Sequence, residues 1–140
     1  MEKKDFIQYT GTKTVLAQPM TKGEAEKHLG RKIDTPAVEK PDEQPGYLVE
    51  YEDGYQSWSP KEVFEKAYHP SGTYLDRMLI EHAEYLERLH HLSDFTCSQK
   101  YRQLNETERN RLSNQLKITY ELLQILGERI DYAVSIAKNH

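Results

Sequence analysis

Six side chains between residues 95 and 111 form this chain's one concentration of groups suited to a small anionic ligand with an aromatic ring. They are Phe95, Tyr101, Arg102, Asn105, Arg109 and Arg111. Aromatic faces stack on bases, and guanidinium forks match phosphate oxygens in two-point contacts. Phe95 is the candidate stacking face and Asn105 the candidate polar reader; Arg102 and Arg109 are the candidate phosphate clamps. Asn105 has a second use open to it, capping a helix. Trp58 or Tyr55, from the N-terminal half, would close over the ligand, and Arg77 is the anchor if the site lies elsewhere. The stretch from Glu39 to Asp53 carries six acids against Lys40 and would repel phosphates.

Covalent chemistry finds no comparable set. His82, His90 and His91 lie close in sequence with Glu81, Glu84 and Glu87 among them. The helical metalloprotease pattern needs two histidines four apart, whereas His82 precedes the pair by eight and nine. His82 therefore reads as a seam residue and His90-His91 as a solvated pair, with no metal expected. Cys97 falls in a helical pattern with no histidine placed to activate it, and reads as a core or interface thiol. No nucleophile elbow, P-loop or dinucleotide fingerprint occurs. The expectation is a binding protein with no catalytic group and no cofactor.

Composition narrows the class. Of 140 residues, 36% are hydrophobic and 30% charged, lean for a monomeric core and suited to long exposed helices. A net charge of −4 argues against general DNA or RNA binding. A single cysteine excludes an internal disulfide. The start MEKKDFIQYT has no apolar leader and no run approaches a membrane span, so a cytoplasmic protein is expected. Ten tyrosines suit interfaces and ligand pockets.

The elements that must position these groups fall into an α+β head, residues 1–69, and a helical hairpin stalk, residues 70–140. Phe6-Ile7-Gln8-Tyr9 and Val15-Leu16-Ala17 are short strand candidates. Thr21 with Glu24 forms a capping pattern opening a helix that Gly30 ends. Arg31 to Pro45, with three prolines, is an open loop, either a mobile insertion or a lid. Gly46 to Trp58 reads as a β-hairpin turned by Asp53-Gly54 in a two-residue type I′ turn, with Val49 opposite Trp58 and Tyr51 opposite Gln56. Ser59 would cap the next helix, with Pro60 in its first position and Val63, Phe64 and Ala67 facing the sheet.

Beyond His69-Pro70-Ser71-Gly72, Thr73 or Ser71 starts the stalk. Leu75, Leu79, His82, Leu86 and Leu89 form one seam, widened by Met78, Tyr85 and Leu92. After a turn near Lys100 to Asn105, Leu112, Leu116, Thr119, Leu123, Leu126, Ile130, Ala133 and Ala137 form the other. Ile118, Leu122, Ile125 and Val134 widen that second arc beyond what one partner helix covers. The surplus predicts assembly, most simply with a second copy of the chain.

Two segments resemble phage proteins. Gly46 to Tyr68, G-Y-L-V-E-Y-E-D-G-Y-Q-S-W-S-P-K-E-V-F-E-K-A-Y, is similar to the N-terminal module of many small phage-encoded proteins, which also carry a stretch like Ala17 to Glu24. Leu92 to Leu104 reads L-x-x-F-x-x-S-x-x-Y-x-x-L and is followed by L-x-x-Q at Leu112 to Gln115. With the spacing from Tyr120 to Ile130, it resembles a helical hairpin shared by anti-CBASS and Thoeris anti-defence sponge proteins. Thr96 stands where an aliphatic residue is usual, and Tyr101 where phenylalanine is. The resemblance implies a sponge that withholds a bacterial immune signal without cleaving it. It implies a cyclised ADP-ribose isomer or a cyclic oligonucleotide as ligand, and dimers that can build hexamers.

Overall fold

The computed structural model describes residues 5–139, and the chain divides between Tyr68 and His69 into two units. The first holds β1 (Leu16–Pro19), α1 (Lys22–Leu29), β2 (Gly46–Glu50), β3 (Gln56–Pro60) and α2 (Lys61–Ala67). The second holds α3 (Tyr74–Thr96), α4 (Gln99–Arg102) and α5 (Glu106–Lys138). The architecture is α+β.

In the first unit the strands form an antiparallel sheet in the order β1-β2-β3. The segment from Phe6 to Tyr9, expected as a strand, forms none; Phe6, Ile7 and Tyr9 are exposed. α1 matches its sequence signals. The Thr21 hydroxyl accepts from the Glu24 N–H, and Gly30 ends the helix in the left-handed conformation at φ 71°. There glycine has no Cβ penalty.

The hairpin register differs from expectation by one residue. Leu48 faces Trp58, Val49 faces Ser57 and Glu50 faces Gln56. The Tyr51 N–H bonds to the Tyr55 carbonyl, closing a three-residue loop of Glu52, Asp53 and Gly54. A type I′ turn needs positive φ at both central residues, but only Gly54 has it, at 88°. Asp53 keeps an ordinary backbone and its carboxylate accepts the Tyr55 N–H at 3.0 Å, which favours the wider loop.

Both faces of this sheet are covered. Tyr47 stacks on Phe64 of α2, with ring centroids 4.4 Å apart. Gln56, on the Leu48–Trp58 face, meets His28 of α1 at 3.0 Å. Neighbouring residues on β2 point to opposite faces, so Leu48 and Val49 are both buried only because a helix lies on each side. α2 turns differently from expectation. Its N-cap is Pro60, in an extended conformation without a side-chain cap, and the Lys61 N–H goes to the Pro45 carbonyl. Phe64 and Tyr68 meet the sheet side, while Val63 and Ala67 are exposed. The segment from Arg31 to Pro45 contains a short 3-10 turn, Pro41–Glu43, and is tied to α1. Lys22 Nζ donates to Thr35 Oγ1 at 2.8 Å, and the Ile33 N–H donates to the Glu26 carboxylate at 2.9 Å.

In the second unit Thr73 and Asp76 form a reciprocal capping box at the start of α3. α3 turns Leu75, Met78, His82, Tyr85, Leu89 and Leu92 inward, and leaves Leu79 and Leu86 exposed. The expected row through Leu79 and Leu86 reaches Ser93 at its next step, whereas the observed row carries a large side chain at every step. On α5 the expected seam is observed from Leu112 to Ala133, with Leu123, Leu126 and Ala133 buried and Ala137 exposed near the helix end. Among the described residues no helix is long and apolar enough to cross a membrane.

Candidate functional site

α3 ends at Thr96, where two devices reverse the chain. Ser98 caps α4 by accepting the Tyr101 N–H, and its own hydroxyl donates to the Phe95 carbonyl. Asn105 then caps α5, its Oδ1 accepting the Glu108 N–H at 2.8 Å. The short α4 between these caps brings Tyr101 edge-on to Phe95, with centroids 6.3 Å apart at 81°. The Tyr101 hydroxyl donates to the Arg109 carbonyl at 3.2 Å and lies 2.8 Å from Ser113 Oγ. With one proton to give, it receives the Ser113 hydroxyl proton in turn. Tyr101 thus fastens α4 across the first two turns of α5.

Both expected clamp arginines lie on this frame. Arg102 donates to the Cys97 carbonyl at 3.4 Å, and Arg109 to the Arg102 carbonyl at 3.3 Å. A guanidinium carries five N–H donors, so each keeps most of its donors after this positioning bond. Arg111 pairs instead with Glu108 at 3.3 Å and is partly neutralised. The positive end of the α5 backbone adds to the arginines, while Glu106 and Glu108 in its first turn oppose it. The turn thus carries two half-buried rings, Phe95 and Tyr101, and two arginines held by backbone carbonyls. Aromatic faces and guanidinium donors are the groups that hold a planar ring and a phosphate.

Of the other expected site residues, Trp58 and Tyr55 belong to the first unit and Arg77 to α3. Trp58 is 7% exposed and its indole N–H donates to the Met20 carbonyl at 2.7 Å, so its ring belongs to the head's core. Tyr55 is exposed beside the hairpin loop and stacks on Tyr51 at 6.1 Å. Arg77 bonds the Ser71 carbonyl near the start of α3. Eighteen residues of helix separate it from Phe95, about 27 Å at 1.5 Å per residue, so one chain cannot bring both to one small ligand. Cys97 is exposed at the end of α3 rather than in a core.

Sequence reasoning placed Tyr101 in the cluster but missed its fastening role and missed Ser113. The signal was available in part, because Ser98 and Tyr101 have the spacing of a capping pair. In the head, an open depression of ≈ 570 Å³ beside α1 is lined by Glu24, Lys27, Arg31, Lys32 and Asp42 among others. It mixes both signs of charge and offers no aromatic face. Among the described residues no three His, Cys, Asp or Glu side chains are grouped as a metal ion requires.

Residues 72–132 match the family model described as Sequestin. The match takes in α3, α4 and most of α5, a little under half of the chain. The hairpin and the turn cluster together are therefore similar to a family named for sequestration. No curated protein and no solved structure matches the chain.

Proposed function

We propose that this protein is a phage anti-defence sponge. It binds a cyclic nucleotide immune signal, a cyclic ADP-ribose isomer or a cyclic oligonucleotide, and withholds it from its effector in the host cytoplasm without cleaving it. The observation that carries this reading is that the Sequestin match covers the residues that bring Phe95, Tyr101, Arg102 and Arg109 together. Sequestration asks for preorganised donors and a stacking face, and it needs no nucleophile, base or metal. Arg102 and Arg109 are held by backbone carbonyls before any ligand arrives, which lowers the ordering cost of binding. The protein works as a homo-oligomer, a dimer that can build hexamers, and uses no cofactor, membrane, DNA or RNA.

A second reading, an adaptor whose hairpin binds another protein, is favoured by the apolar residues that α5 leaves exposed. Ultrafiltration separates the two. Protein mixed with the signal made by a TIR-domain enzyme should hold it above the membrane; free passage of the signal would favour the adaptor.

A further inference from the structure

We draw no further inference here: the strongest candidate, the exposed apolar stripe of α5 through Ile118, Ile125 and Tyr132, carries none because nothing in the structure shows what covers it.

Discussion

The Tyr101 hydroxyl bonds the Arg109 backbone carbonyl at 3.2 Å, while the Arg109 guanidinium bonds the carbonyl of Arg102, the residue after Tyr101, at 3.3 Å. The two residues thus clasp α4 to α5 from both sides, and the groups proposed to meet the ligand also shape the turn. Tyr101→Phe keeps the ring against Phe95 and removes the hydroxyl's bonds. A net loss of about 1 kcal/mol is expected. Thermal melting should show a Tm lowered by a few degrees with helix content unchanged.

Arg109→Ala removes a charge-assisted donor, which contributes about 1.5–3 kcal/mol in such contacts. Affinity for the cyclic ADP-ribose isomer should fall by roughly tenfold to a hundredfold in calorimetric titration. Arg102→Ala should act in the same direction. Unchanged affinity in both would move the site away from the turn.

Asn105 separates stability from recognition. Asn105→Ala removes the α5 cap and should destabilise the hairpin by about 0.5–2 kcal/mol. Asn105→Ser keeps a capping oxygen but loses the amide N–H groups. If Asn105 also reads the ligand, Asn105→Ser should melt near wild type yet bind more weakly. Wild-type affinity would confine its role to the cap.

Gly46→Ala tests the head. A Cβ there would lie 2.3 Å from Trp58 Cζ2 and 2.3 Å from the Ser59 carbonyl oxygen, closer than atoms can approach. Trp58 has no room to retreat, since it is buried and its N–H is bound to Met20. Loss of the tryptophan fluorescence typical of a buried ring, with stalk helicity retained, is the expected result.

Local rules were the legible part of this fold. The caps at Thr21, Thr73 and Asn105 follow from a side-chain oxygen three residues ahead of an N–H, a relation contained within one turn of chain. The turn cluster was legible for the same reason, because its members are close in sequence. The hairpin register was not, because it hangs on the backbone angle of Asp53, and Asp-Gly suits either loop. The inward face of α3 was ambiguous because apolar residues lie at both three and four steps beyond Leu75. Trp58 was recognisable as an aromatic, but its burial depends on Met20 and Gly46, distant in sequence.

A sponge retains its signal without cleaving it, and heat release measures that directly. The protein is incubated with a TIR-enzyme signal, washed free of unbound nucleotide, heated to unfold it, and the released material is identified by mass and by its power to activate the effector. Intact signal, still active, should be recovered in proportion to protein. Recovery of a cleaved product, or of no nucleotide at all, would contradict the sponge reading.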